Sequence, residues 1–155
     1  MSLVLVAFTV AIPKVLPGQA NGREVAWVRA DSIVAVESGR IGLRTSAGRD
    51  FMPRPGNAQD GSDLMVNLQI LSLDEVPLPT GLLVESAWVR SSERLWGSAP
   101  SCEPRPDLPH GLDLMLRGGP KWATNQNVDV LVRLHLPTGR VYYLLARRQP
   151  IGRTS

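Results

Sequence analysis

The stretch from Ala26 to Met52 constrains the fold most, because short apolar runs alternate there with tight turn residues. Val, Ile and Thr favour β-strands, and glycine permits the backbone angles that tight turns need. Turns are expected at residues 38–39 and 46–48, and each would join two short strands. The expected strands cover residues 24–29, 33–37, 41–45 and 49–52. The stretch therefore predicts an antiparallel meander of two successive hairpins.

The rest of the chain has the same character, since 13 Pro and 14 Gly among 155 residues interrupt regular helix. The clearest hairpin has strands at 130–136 and 141–146, which flank the turn 137–139. Residues 62–73 fit a strand or a helix, and the alternation of apolar residues favours the strand. Further elements are strands at 3–12, 82–84, 87–90 and 112–116, and one helical turn at 91–96.

Two pairs of segments resemble each other within the chain. Residues 24–29 (EVAWVR) are similar to residues 85–90 (ESAWVR). Residues 43–51 (LRTSAGRDF) are similar to residues 134–142 (LHLPTGRVY). The order of the segments is the same in both halves, which predicts an internal repeat. Chance similarity between glycine-containing turns is the alternative interpretation.

These patterns predict a single β-rich domain over residues 1–155. We expect a mostly β fold in which antiparallel hairpins form a sandwich or a small barrel, with little helix. The two copies of the repeat would be residues 24–52 and 85–146. Residues 97–120 would then be a long, irregular, proline-rich loop inserted in the second copy, and loops of this length are usually functional or ordered by a neighbour.

The central meander also resembles the small β-meanders of LytTR-type DNA-binding domains and FlbD-like flagellar regulators. The resemblance rests on Ser32-Ile33, Val36-Glu37 and Gly48, and it covers about 30 of the 155 residues. It implies a β pattern only. Beyond Pro53 the chain departs from the family pattern, so no residue roles are transferred.

The residues that usually carry catalysis or bind metals are sparse. Cys102 is the single cysteine, which excludes an internal disulfide, and His110 and His135 are the two histidines. Their spacing matches no metal motif, and no phosphate-binding glycine motif is present. Cys102 and His110 share the proline-rich loop, but incidental positions explain them better than a nucleophile and its base. We therefore expect no catalytic residues, no cofactor, no metal and no enzymatic activity.

The charge distribution gives the only candidate site. The formal net charge is +3, and every charged residue after Asp129 is basic. Such a basic end is suited to phosphate or to an acidic protein surface, whereas the simpler alternative is arginines on solvated strand faces. The candidate contact residues for a protein partner or a nucleic acid are Trp122, Arg133, His135, Arg140, Arg147, Arg148 and Arg153.

The expected function is a non-enzymatic structural, assembly or protein-interaction role, for example as a small component of a viral or other multi-subunit particle. Its partners would be other protein subunits, in a homo- or hetero-oligomer, and its contacts would be strand 3–12 and loop 97–120. The alternative is a nucleic-acid-binding regulator that uses the basic C-terminal hairpin and tail. The apolar run 3–12 is too short to span a membrane. We expect the protein in the cytoplasm, or in a particle assembled there.

Overall fold

The computed structural model of the protein describes residues 20–56, 60–103 and 110–155. The strand predicted at residues 3–12 lies outside this part of the chain. The described residues form one helix and nine strands. These elements are α1 (Ala20–Arg29), β1 (Ile33–Val36), β2 (Gly39–Asp50), β3 (Leu64–Ser72), β4 (Leu83–Ser91), β5 (Arg94–Ser98), β6 (Ser101–Glu103), β7 (Gly111–Gly119), β8 (Asn127–His135) and β9 (Val141–Thr154).

The strands form one curled sheet that closes into a half-barrel, so the prediction of a mostly β fold with little helix is confirmed. The strand order is β5-β4-β8-β9-β2-β3-β7-β6, and β1 pairs with β2 beside this path. All neighbouring strands are antiparallel except β2 and β9, which are parallel. The sheet is therefore mixed.

Strand β9 joins the two halves of the sheet. Its first part pairs with β8, whereas Ile151 to Thr154 pair with Ala47 to Asp50 of β2. Within the part that pairs with β8, the register shifts between Ala146 and Gln149, and Arg148 adopts a left-handed φ of 54° there. A β-bulge of this kind bends a strand, which allows one strand to serve both halves.

The core lies on the concave side of the sheet. Strand β3 shows the pattern clearly, because Leu64, Val66, Leu68 and Ile70 are fully buried and alternate with partly exposed residues. Side chains two residues apart in a strand point to the same face, so alternation predicts one buried face. Full burial of one such side chain contributes roughly 1.5–3 kcal/mol. The strand prediction for 62–73 is confirmed.

Helix α1 covers part of the convex side. Ala26 and Trp27 are buried there and pack against Leu131 of β8 and Leu145 of β9. The strand predicted at residues 24–29 is therefore wrong. The helix is short, so it depends on this tertiary burial rather than on intrinsic propensity.

In the predicted meander, only the first hairpin is correct. Strands β1 and β2 pair through Ile33–Val36 and Gly39–Gly42, as expected. The second turn, at residues 46–48, is wrong, because β2 continues without interruption to Asp50. Ala47 and Gly48 pair with β3 on one side and with β9 on the other, and this double ladder keeps turn-forming residues extended.

Two further predictions are wrong. Residues 91–96 were expected to form a helical turn. They instead include the end of β4, a two-residue turn at 92–93 and the start of β5, and the two strands pair as a hairpin. The region 97–120 is not one irregular loop, because it contains two strands of the sheet. These are β6 (Ser101–Glu103) and β7 (Gly111–Gly119). The central residues of this region, 104–109, lie outside the described part. The short strand at 112–116 is confirmed within β7.

The C-terminal hairpin is confirmed and extended. Strands β8 and β9 pair around the turn at residues 137–139, and β9 continues to Thr154 rather than ending at residue 146. The expected basic tail is therefore part of a strand. The two segments of the proposed repeat differ in structure, since residues 24–29 are helical and residues 85–90 are in β4.

Candidate functional site

The basic residues of the predicted site are spread over β8, the following turn and β9 rather than collected in one place. Arg147 follows Arg140 by seven positions, and Arg153 follows Arg147 by six. Each interval spans about 20 Å in an extended strand. The fold therefore does not bring the three arginines to one point.

Two of these arginines have partners of their own. The Arg147 guanidinium donates to the carbonyl oxygens of Trp27 (3.3 Å) and Val28 (3.2 Å), in the last turn of α1. A cation there satisfies carbonyls that lack a partner within the helix. The Arg153 guanidinium stacks on the ring of Phe51, 3.9 Å from its centroid. Both contacts fix structure.

Arg140 and Arg133 lie beside acidic residues. The Arg140 guanidinium is 3.9 Å from the carboxylate of Glu37, and its hydrogen bond to the Tyr142 hydroxyl is the main cause of a raised pKa. The Arg133 Nε is 3.6 Å from the carboxylate of Glu85, and the Arg133 side chain is only 12% exposed. Arg133 is thus largely unavailable to a nucleic acid.

The other predicted contact residues differ in accessibility. Trp122 is buried under the Arg94 guanidinium, which lies 5.0 Å from its ring centroid, so little of its ring is open to a partner. His135 is half-buried at the end of β8. Arg148 is exposed, and its backbone N–H donates to the carboxylate of Asp129 at 3.0 Å.

Metal or nucleophilic chemistry would fall on Cys102 and on the two histidines, His110 and His135. Within residues 20–56, 60–103 and 110–155, no group of three His, Cys, Asp or Glu side chains could hold a metal ion. Cys102 is exposed on β6, opposite Leu114, and His110 precedes β7. Residues 104–109, which lie between them in the sequence, are outside the described residues.

The outer edge of β5 lies at one end of the described sheet. Among the described strands, only β4 pairs with β5. The two-residue turn at 92–93 makes Ser91 and Arg94 a hydrogen-bonded pair, and such pairs alternate along a hairpin. The N–H and C=O groups of Leu95 and Gly97 therefore point away from β4. Leu95 is 47% exposed.

Two tryptophans pack closely against glycines at and beside this edge. A Cβ at Gly97 would lie 2.5 Å from the Trp88 ring, so only glycine fits there without a shift. On the inner side Trp96 packs against Gly119, where a Cβ would lie 2.8 Å from the indole. Strand β5 contains no proline, and the opposite edge strand β6 has three residues within the described part of the chain. The five-residue β5 edge is thus the better template for another strand.

The sequence contained a signal for this edge. Ser92 and Glu93 separate two alternating segments by two residues, which is the spacing of a tight hairpin. Ser92 has a left-handed φ of 53°, a conformation for which serine gives no strong sequence signal.

Helix α1 is the one helix in the described residues, and it is not long and apolar enough to cross a membrane. Two of its side chains, Val25 and Val28, are exposed by 52% and 75%.

Comparisons with known proteins give no relative. No family model matches the chain, and no curated protein or solved structure matches it significantly. The function must therefore be argued from the chain itself.

Proposed function

We propose that the protein is a non-enzymatic assembly module that associates through the β5 edge, and that its first partner is a second copy of the chain. A small component of a viral or other multi-subunit particle is the form of this role that we favour. The observation that supports the proposal is the outer edge of Arg94–Ser98, with which no described strand other than β4 pairs.

The edge is self-complementary when two copies meet around a two-fold axis at Trp96. Antiparallel pairing then sets Leu95 opposite Gly97 of the second copy, and these residues carry the free N–H and C=O groups. The same register sets Arg94 opposite Ser98, so like charges do not face each other. Two-fold pairing of one edge with itself closes the interface and produces a dimer.

The number of hydrogen bonds across this interface sets the expected strength of dimerisation. Two Leu95–Gly97 pairs would form four bonds, and each contributes about 0.5–1.5 kcal/mol net. Exposed apolar area at Leu95 adds to this. An interface of this size is weak by itself, which suits a subunit that is held in a larger assembly by several contacts.

The alternative, a nucleic-acid-binding regulator, remains a prediction. It is less well supported, because the side chains of Arg147 and Arg153 are engaged with α1 and Phe51. Binding to DNA or RNA that weakens steeply with salt, and weakens further in Arg147→Ala/Arg148→Ala, would favour it over the assembly role.

The proposal is tested by light scattering after size-exclusion chromatography over a range of concentrations. We expect a concentration-dependent dimer. In Leu95→Pro the proline lacks the outward N–H but leaves the β4–β5 bonds intact, so dimerisation should weaken about thirtyfold. Leu95→Ala keeps the N–H and should weaken it much less. A wild-type protein that is monomeric at every concentration would refute the proposal.

A further inference from the structure

The pairing of β2 with β9 is incomplete, and a cavity opens between them. Pairing begins only at Ala47, opposite Ile151. On the N-terminal side of Ala47, the backbone of Asp31 and Ser32 lies between β2 and β9. Leu145 N–H donates to the Asp31 carbonyl at 2.9 Å, and Leu43 N–H donates to the Ser32 carbonyl at 2.8 Å. Below this bridge, a gap of about 420 Å³ remains.

The gap lies in the plane of the sheet. Its walls include consecutive residues from each strand, namely Leu43 and Arg44 of β2 and Ala146 and Arg147 of β9. Consecutive side chains in a strand point to opposite faces. Residues from both faces can line one cavity only where the wall of the half-barrel is interrupted.

A chain of polar contacts crosses the gap where backbone pairing is missing. The Thr45 hydroxyl and the Gln149 side-chain oxygen are 2.8 Å apart, and the Gln149 amide donates to the Arg147 carbonyl at 2.8 Å. Because Leu43 N–H points toward β9, the N–H of Thr45, two residues on, points the same way. The gap is thus lined by fixed polar groups.

The charges at the gap favour an anion. Arg44 and Arg147 line it against the single carboxylate of Asp31, which already accepts the backbone N–H of Ser32 at 2.7 Å. Arg44 is exposed, and it has no hydrogen bond or ion pair with another described residue. A free guanidinium beside hydroxyl and amide groups is suited to bidentate binding of a carboxylate or a phosphate.

From these features we infer that the gap between β2 and β9 is a binding site for a small molecule that carries an oxyanion. Its volume is within the range of ligand pockets and exceeds the space for a few waters. Arg44 binds the oxyanion, and Ser32 and Thr45 contact the rest of the ligand. The β5 edge is separated from this gap by β4, β8 and β9, so the inference does not depend on the proposed assembly role.

The test follows backbone amides by NMR while inorganic phosphate or acetate is titrated into the full chain. We expect saturable shifts at Ser32, Thr45 and Gln149 with at least one of the two anions, and the stronger binder identifies the preferred oxyanion. Arg44→Ala should weaken the affinity about tenfold, as expected for the loss of a charge-assisted contact.

Two variants make the result specific. Arg140→Ala removes the same charge from an exposed arginine that does not line the gap, and its affinity should stay within about twofold of wild type. Thr45→Val keeps the charge but breaks the polar chain, and it should weaken binding severalfold. The inference is overturned if neither anion gives saturable shifts, if the shifts follow exposed arginines in general, or if Arg140→Ala weakens binding as much as Arg44→Ala.

Discussion

The two ends of β2 are built from similar residues but are held in different ways. At its C-terminal end β2 pairs with both β3 and β9, and Arg49 is buried there. At the N-terminal end of β2 there is no pairing with β9, and Arg40 and Arg44 are exposed. We call these the closed end (Ala47–Asp50) and the open end (Arg40–Thr45).

At the closed end, Arg49 donates hydrogen bonds to four backbone carbonyls. Its guanidinium donates to the Ser62 carbonyl at 2.8 Å, the Trp122 carbonyl at 3.1 Å and the Lys121 carbonyl at 3.4 Å, and it also bonds the Asp60 carbonyl. These carbonyls belong to two separate loops. The arginine thus satisfies buried backbone acceptors and fastens both loops to β2.

At the open end, β2 pairs with β3 and, through Gly39–Gly42, with β1, but not with β9. Helix α1 packs across β8 and β9, and the Asp31–Ser32 backbone bridges β9 to β2. The comparison teaches that one strand combines a rigid seam with an accessible gap. Pairing with β9 and a buried arginine close one end, whereas β1 and a docked helix support the other.

The largest effect is expected at Trp27, which anchors the helix that supports the open end. Trp27→Ala should lower the free energy of unfolding by about 4 kcal/mol, because a buried indole is removed from the contact with Leu131 and Leu145. Val28 is 75% exposed, so Val28→Ala should change it by less than about 0.5 kcal/mol. Urea unfolding measures both. Equal losses in the two variants would show that α1 does not support the open end through Trp27.

The next effect concerns the arginines of the two ends. Arg49→Met keeps apolar bulk but leaves buried carbonyls without donors, so we expect a loss of about 3 kcal/mol in the free energy of unfolding. Arg44→Met, at the open end, should cost less than about 0.5 kcal/mol. Chemical denaturation of both variants checks the contrast. If Arg44→Met were as damaging, the distinction between a closed and an open end would be wrong.

The smallest effect is a pH dependence at the open end. The Asp74 carboxylate accepts the Arg40 backbone N–H at 2.7 Å and the Arg40 Nη2 at 2.8 Å, and the side-chain hydrogen bond is the main cause of its lowered pKa. A carboxyl with a lowered pKa in the folded state contributes stability above its ordinary value of 3.8, and this is lost as the pH falls through the lowered pKa.

Arg40→Ala should therefore return the pKa of Asp74 toward its ordinary value and flatten the acid dependence of stability. An NMR titration of the side-chain carboxyl carbons measures the pKa of Asp74. Asp60, whose lowered pKa is caused mainly by its hydrogen bond to Lys121, serves as the internal control and should not change. An unchanged Asp74 pKa in Arg40→Ala would contradict the assignment.

Much of the strand pattern was predictable, because alternation is a local property. Strand β3 and the β8–β9 hairpin follow from residues that are near in sequence. Helix α1 and the continuous β2 were missed for the opposite reason. Trp27 is helical because Leu131 and Leu145 cover it, and residues 46–48 stay extended because β9 pairs with them. Neither cause is visible locally.

The candidate sites were less predictable than the fold. Sequence position grouped the arginines of β9, but their side chains have unrelated partners, such as the α1 carbonyls for Arg147 and Phe51 for Arg153. The gap beside Arg44 arises from where two strands separate, more than 100 positions apart in the chain. Only the β5 edge had a local signal, in the two-residue spacing at 92–93.

The position of β9 has a consequence for how the protein folds. It follows every other described strand along the chain, yet it supplies the partner of both β8 and β2. During synthesis, the Ala47–Asp50 segment of β2 must wait for a partner made roughly 100 residues later. Long-range pairing of this kind slows folding and exposes intermediates to aggregation. The two halves therefore become one cooperative unit only when the last described strand joins them.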